Sequence, residues 1–381
     1  MQKKIAAAFK KFKVSQCLPL SSAWHYAIIK WFAKANRKER KLKDGGFMKI
    51  RGFHLLSAVV ALICVLSAGV LSGCSSNEDP TIFDTVPVLE DTRDTAEKMN
   101  TFVTLNGDSV TYNMNTRKIV ALSGAGDLVA FGIRPLAVIA DDTTMASYPA
   151  FFDGVESLNY TQPFNAEEIM SYQPELILVY QLMDDETIGE LEQIAPVIPL
   201  YRESFDFEER LGYIGEIFGL QENAQTLIDY AEQTQAEAIQ RLQELNLSGK
   251  TVSVFYYLDG VSIPPTDYWY FNKIIYDYLG MKRTAAADEF LNNEQNNPFT
   301  PISNEVLRNF EGDIVIYVDL AVTGGEPAVP DALNANPGWQ SLKAYQEGKI
   351  GAIDAMLYAE KDVLYLSAQY SSLMIAFEKS L

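Results

Sequence analysis

The chain has 381 residues, 48 % hydrophobic and 21 % charged, with a formal net charge of −19; this balance excludes a disordered chain and, at this length, calls for one very large domain or two lobes. Residues 1–73 carry 14 of the 31 Lys/Arg and 2 of the 50 Asp/Glu, leaving 17 basic against 48 acidic groups in a body that therefore repels nucleic acid. All three cysteines (Cys17, Cys64, Cys74) and both histidines (His25, His54) lie in the first 74 residues, which excludes from the body disulfides, Ser-His-Asp or Cys-His catalysis, and His-ligated zinc or manganese.

Residues 1–47 form a basic N-terminal extension with the run Arg37-Lys38-Glu39-Arg40-Lys41-Leu42-Lys43. It reads as a long cytoplasmic leader, as a nucleic-acid-binding arm or, the reading favoured here, as a start-site artefact with translation opening at Met48. Residues 48–73 have the make-up of a secretory signal: Lys49 and Arg51, an uncharged apolar run from Leu55 to Leu71, then small residues. The run is slightly short for a bilayer span of about 20 residues; an uncleaved transmembrane helix is the alternative. Leu71-Ser72-Gly73-Cys74 resembles a bacterial lipoprotein signal, which implies lipid attachment at Cys74. Ser75-Ser76-Asn77-Glu78-Asp79-Pro80 then opens a polar stretch, and residues 74–100 read as a flexible tether.

From Thr101 the patterns alternate. Thr101 to Met114 flanks Asn106-Gly107-Asp108 and predicts a β-hairpin. Strands are predicted at 118–123, 136–140, 175–180 and 197–201. Helices are predicted at 125–132, 166–172, 186–194 and 207–220. This βα alternation implies a parallel sheet with helices on its faces. Leu227, Ala231, Thr234, Ala238, Leu242 and Leu245 then recur at three- and four-residue spacing without Gly or Pro, predicting one long helix over 222–246. Beyond it come strands at 251–257, 313–319 and 349–354 and helices at 269–279, 303–310, 338–345 and 362–378. The fold class is thus α/β, with two mainly parallel lobes (101–221 and 249–381) joined by a connecting helix over 222–248. In open α/β sheets ligands bind beyond the carboxyl ends of the strands, so two facing lobes would share one cleft.

Four stretches make the sequence familiar: Arg117-Lys118-Ile119-Val120-Ala121-Leu122; Asn165-Ala166-Glu167-Glu168-Ile169 followed by Gln173-Pro174-Glu175-Leu176-Ile177-Leu178; Tyr270-Phe271-Asn272 leading to Tyr278-Leu279-Gly280; and Asn336-Pro337-Gly338-Trp339-Gln340-Ser341-Leu342-Lys343-Ala344. From about Asn106 to Leu381 the chain resembles the substrate-binding proteins of bacterial ABC importers, in the class that carries ferric siderophores, haem and cobalamin. The resemblance implies a connecting helix that limits hinge motion, and a permease with its ATPase as partner. It also implies a lipid-anchored, monomeric protein on the outer face of the cytoplasmic membrane, and a ligand that arrives as a pre-formed chelate. Such a ligand asks the protein for no metal-coordinating residue, no cofactor and no catalytic group, only an amphipathic surface with a few well-placed polar groups.

Strand ends supply the candidate ligand residues Tyr180 and Gln181, Tyr201 and Arg202, Asp259, and Tyr358. The resemblance adds Tyr160 and Phe299. Arg202 is singled out because basic groups are scarce in this body and a guanidinium fork suits anionic oxygens. Trp269 and Trp339, each opening an amphipathic helix, read as packing residues. Neither Phe255-Tyr256-Tyr257-Leu258-Asp259 nor Val179-Tyr180-Gln181-Leu182-Met183 holds a cation. A hydroxamate or citrate-hydroxamate iron complex is therefore expected over a trianionic tri-catecholate. The resemblance implies permease docking through Glu186 and Glu305, with Asp185 as the competitor of Glu186. Both sit where helix first turns are predicted, and there acidic groups are favoured anyway. The alternatives are a binding protein for cobalamin, haem or another chelate, a carboxylate-pair hydrolase, and a structural surface lipoprotein. No phosphate-binding loop appears, and Ser123-Gly124-Ala125-Gly126 lacks the third glycine of a dinucleotide fingerprint.

Overall fold

The computed structural model describes residues 82–381 apart from 141–144, 146–147, 159–164, 181–182, 201–205, 259–260, 264–269, 294–299, 320–326 and 359–360. All of these described residues lie in the unit Glu78–Leu381.

Three sheets are present among them. A hairpin of β1 (Met99–Val103) and β2 (Ser109–Asn113) turns where Thr104 N–H donates to Asp108 O and Gly107 N–H to Thr104 O. The first lobe holds five parallel strands in the order β5-β4-β3-β6-β7: β3 (Ile119–Ala121), β4 (Ala137–Val138), β5 (Glu156–Ser157), β6 (Leu176–Val179) and β7 (Val197–Pro199). The second holds β8 (Val252–Leu258), β9 (Val261–Ile263), β10 (Ile314–Asp319) and β11 (Ile350–Asp354) in the order β11-β10-β8-β9. Here β8, β10 and β11 are parallel and β9 is an antiparallel edge. β3 and β6 are buried along their whole length, as strands covered on both faces must be.

Strand periodicity divides these residues between layers. Ile119 and Ala121 of β3, Leu176 and Leu178 of β6, and Ile314, Ile316 and Val318 of β10 all enter one shared apolar core. Their neighbours point the other way. Val120, Ile177 and Val179 pack under the outer helices of the first lobe, and Val315 and Tyr317 join Trp339 in the second.

The helices used below are α1 (Ala125–Ala130), α2 (Ala166–Ser171), α3 (Asp185–Glu192), α4 (Phe207–Phe218), α5 (Gln221–Glu244), α6 (Ala285–Leu291) and α7 (Leu366–Lys379). α4 opens with a capping box between Asp206 and Glu209. After Gly219 and Leu220 the chain enters α5, 24 residues or about 36 Å at 1.5 Å per residue. The buried stripe Ala224, Leu227, Ile228, Ala231, Thr234, Ala238 and Leu242 lays α5 along the shared core, with α7 packed beside it.

Several elements differ from the sequence expectation. The helix predicted over 269–279 is one α-turn, Tyr270–Asn272, that widens into a π-helical stretch at Lys273–Tyr278. Only Leu307–Phe310 of the helix predicted at 303–310 is helical, as a 3₁₀ turn. Gly338–Tyr345 is split into two short turns at Ser341–Leu342. β9 and α6 were not foreseen; each is too short to show a period.

The flexible tether is also corrected, for residues 82–98. This segment is an ordered strap. Ile82 N–H donates to Ser371 Oγ of α7 at 2.8 Å, and the Phe83 ring stands edge-on to Tyr370. Tyr230 of α5 donates its hydroxyl to Asp84 O at 3.0 Å, and Asn223 bridges Glu90 O and Phe131 O. A Cβ on Gly132, which has φ +80, would lie 2.5 Å from Leu89 O, so only glycine lets the strap cross here. Arg93 pins the strap: it grips Asp91 with two nitrogens, donates to Met114 O and Thr116 O, and lies over the Phe218 ring. Arg117 also pairs with Asp91. Burial pulls the Arg93 pKa down to about 10. Phe83 and Val86 are buried apolar anchors. Polar composition alone suggested a solvated linker, but these few residues hold it down.

Candidate ligand cleft

β3 leads through Ser123 and Gly124 into α1, so the first turn of α1 lies at the carboxyl end of the first sheet. β11 ends at Asp354, and the chain returns to Asp362 and Val363 beyond the carboxyl end of the second. These two places touch. Gly126 N–H donates to Asp362 Oδ2 at 2.7 Å, and Val363 N–H donates to Asp127 Oδ1 at 2.7 Å. From α4, Arg210 Nε donates to Asp127 Oδ2 at 2.6 Å. Asp127, Asp362 and Arg210 are 0, 1 and 2 % exposed, so this is a buried floor between the lobes. Burial alone would lower the Arg210 pKa, but Asp127, Tyr270 and Asp362 outweigh it and the value is raised.

An aromatic frame surrounds these charges. Tyr148 meets Tyr365 edge-on at 5.6 Å, Tyr270 meets Tyr278 at 6.4 Å, and Phe207 meets Tyr278 at 5.8 Å. Burial raises the Tyr270 and Tyr278 hydroxyl pKa values. Two cations sit over this frame: Lys361 Nζ lies 6.0 Å from the centre of the Tyr270 ring and Lys273 Nζ 5.5 Å from that of Tyr278. The expectation of a cleft poor in cations is modified accordingly.

Of the residues singled out from sequence, Tyr160, Gln181, Tyr201, Arg202, Asp259 and Phe299 lie outside the described residues, as do Trp269 and Cys74. Tyr180 stands half-buried at the carboxyl end of β6, where Met183 N–H donates to its carbonyl. Tyr358 is corrected. It is 1 % exposed, its hydroxyl donates to Gln369 O at 2.8 Å and its ring packs edge-on against Phe271. The chain makes a 3₁₀ turn after β11 that folds the ring inward, so Tyr358 is a core residue. Trp339 is a packing residue, fully buried between Phe255 and Tyr317. Glu186 is exposed in the first turn of α3, after the N-cap Asp184. Glu305 is exposed in a turn before Leu307–Phe310, not in a helical first turn, so the dipole argument does not apply to it.

Sequence reasoning missed Gly126, Asp127, Arg210, Lys361 and Asp362. One signal was available: Asp127 is the sole charge in Ala125-Gly126-Asp127-Leu128-Val129-Ala130-Phe131, and a lone carboxylate in an apolar helix needs a buried partner. Among the described residues no group of three His, Cys, Asp or Glu is arranged to hold a metal ion, and no helix is long and apolar enough to cross a membrane.

The sequence profile of the family described as periplasmic binding protein matches residues 119–357, more than half of the chain. The iron-uptake system-binding protein of Bacillus subtilis is 23 % identical over 191 residues, 49 % of this chain and 57 % of its own. The ferric-anguibactin-binding protein FatB of Vibrio anguillarum is 28 % identical over 232 residues, 56 % of this chain and 65 % of its own. The chain thus spans less than two thirds of either curated relative. Among solved structures, FhuD2 of Staphylococcus aureus with bound ferrioxamine B superposes with a TM-score of 0.56 at 20 % identity, covering 70 % of this chain and 100 % of that one. The triscatecholate siderophore binding protein FeuA of Bacillus subtilis, complexed with ferri-bacillibactin, gives 0.55 at 19 %, covering 73 % and 98 %. At such identities these structures establish the fold.

Proposed function

The chain belongs to the periplasmic binding protein family, and on that premise we propose that it is the solute-binding lipoprotein of an ABC importer. In this reading it captures a ferric siderophore, of hydroxamate or citrate-hydroxamate type, outside the cytoplasmic membrane and hands it to a permease. Lipid on Cys74 anchors it, and Glu186 and Glu305 meet the permease. Tyr160, Tyr180, Gln181, Tyr201, Arg202, Asp259 and Phe299 contact the ligand.

The observation that carries the reading is the floor itself: the carboxyl ends of the parallel strands of two sheets meet at a buried polar junction, and that end of an α/β sheet is where ligands are taken. The two curated relatives support iron-chelate cargo, being named for iron uptake and for ferric anguibactin. A chelate fills the iron coordination sphere, so no protein ligand to the ion is needed. The floor favours the less anionic class in that the charge of Arg210 is taken up by Asp127. Arg210 therefore offers no uncompensated charge to a trianion.

The tri-catecholate reading has its own support in Lys361 and Lys273 over the tyrosine frame. Titration of the full chain with ferrioxamine B, a ferric citrate-hydroxamate and ferri-bacillibactin, read by tryptophan quenching, separates the two. Tightest binding to ferri-bacillibactin overturns the hydroxamate assignment; binding of none overturns the siderophore reading. Charge reversal at Glu186 and Glu305 is expected to abolish uptake in cells with affinity intact.

A further inference from the structure

We propose that Gly126–Asp127 and Asp362–Val363 form a clasp that fixes the separation of the two lobes, making Gly126 and Asp127 positioning residues for ligand capture; the ligand half of this rests on the solute-binding reading above. The pairing is reciprocal. Each segment gives one backbone N–H and accepts one with a carboxylate, both at 2.7 Å, across 236 positions of sequence. Arg210 holds the second oxygen of Asp127, so that carboxylate has no freedom to turn away from Val363. There is no slack at the contact: a Cβ on Gly126 would lie 2.8 Å from Asp362 Cβ, 2.9 Å from Asp362 Oδ2 and 3.0 Å from a ring carbon of Tyr365. Charge-assisted bonds in a buried site are short and directional, so they set a distance more sharply than apolar packing does.

The clasp also stands next in sequence to the segments expected to touch the ligand. Arg210 lies early in the helix that begins at Phe207, eight residues after Arg202, and Lys361 follows the end of β11 at Asp354 by seven residues. A fixed spacing between these segments is the condition for two half-sites to grip one ligand together.

Gly126→Ala tests this directly. Alanine suits the helical backbone of α1 better than glycine does, which offsets part of the cost of overpacking, so the variant is expected to fold with a lowered melting temperature while the methyl pushes Asp362 and Tyr365 away from α1. For whichever of ferrioxamine B or ferri-bacillibactin the full chain binds, affinity is expected to fall at least tenfold, and hydrogen exchange at Val363 to accelerate. Equal affinity with accelerated exchange overturns the positioning role; unchanged exchange overturns the clasp. If Gly126→Ala does not fold, the Asp362 pair decides: Asp362→Ala should lose affinity and Asp362→Asn, which keeps an acceptor oxygen, should recover most of it. Equal affinity in both overturns the proposal. If the parent binds neither chelate, the siderophore reading fails on its own, and exchange at Val363 in Gly126→Ala still decides whether the clasp exists.

Discussion

At the carboxyl ends of the sheets the lobes meet through Gly126, Asp127, Asp362 and Val363, joined by two bonds of 2.7 Å, with Asp127 held from within its own lobe by the buried Arg210. The strap 82–98 runs from α7 along α5 to the entry of β3, held by Phe83, Val86, backbone carbonyls and the Arg93–Asp91 pair. The first junction specifies a geometry, because a carboxylate or amide out of line in a dry site costs far more than one in water. The second spreads its anchors along the chain, apolar at Phe83 and Val86 and charged at Arg93 and Asp91. The difference is one of reach: the clasp fixes one point between the lobes, whereas the strap holds many points along α7, α5 and the entry of β3.

The comparison breaks most visibly at Asp127. Asp127→Ala leaves Arg210 buried without its carboxylate, an expected loss of about 3–5 kcal/mol in urea unfolding; a loss under 1 kcal/mol would mean that the front junction carries no such load. Phe83→Ala is next, with about 3 kcal/mol expected for an aromatic removed from a buried site, and ligand affinity unchanged. An affinity loss there would show that the strap, too, governs the cleft.

The tyrosines sharpen the picture through alkaline pH. Burial raises the pKa values of Tyr270, Tyr278, Tyr358 and Tyr370. The native state therefore keeps these protons after the unfolded chain, titrating near pH 10, has released them. Stability should be full below about pH 10 and fall above it, by about 1.4 kcal/mol per pH unit for each tyrosine. Unfolding curves at pH 9 and 11 check the sign, and Tyr358→Phe should lessen the fall by one tyrosine's share without altering ligand affinity. Asp184→Ala has the smallest effect, about 1 kcal/mol, since it removes only the exposed N-cap of α3.

Local chemistry made much of this fold legible. Asn106-Gly107-Asp108 dictates its turn within three residues. Asn336 caps Gly338 and Trp339 while Pro337 sets the first helical φ, so that motif carries its own structure. The stripe of α5 is visible because seven turns repeat one period. The clasp was not legible: its partners are 236 positions apart, and only lone Asp127 hinted at it. The strap was hidden because an extended segment with anchors at Phe83, Val86 and Arg93 has no period to detect. The cleft candidates were drawn from strand ends, and there the sequence cannot say whether a tyrosine turns outward; Tyr358 turned in.

Both inner sheet faces, α5 and α7 contribute to a single apolar cluster, and this has a thermodynamic corollary. Neither half can be cut free without exposing the face that the other covers. Heating should give one calorimetric endotherm with matching van't Hoff and measured enthalpies. A gene fragment ending after β7, or one starting at β8, should yield insoluble or oligomeric product, because each half would seek its missing counterpart in a second copy.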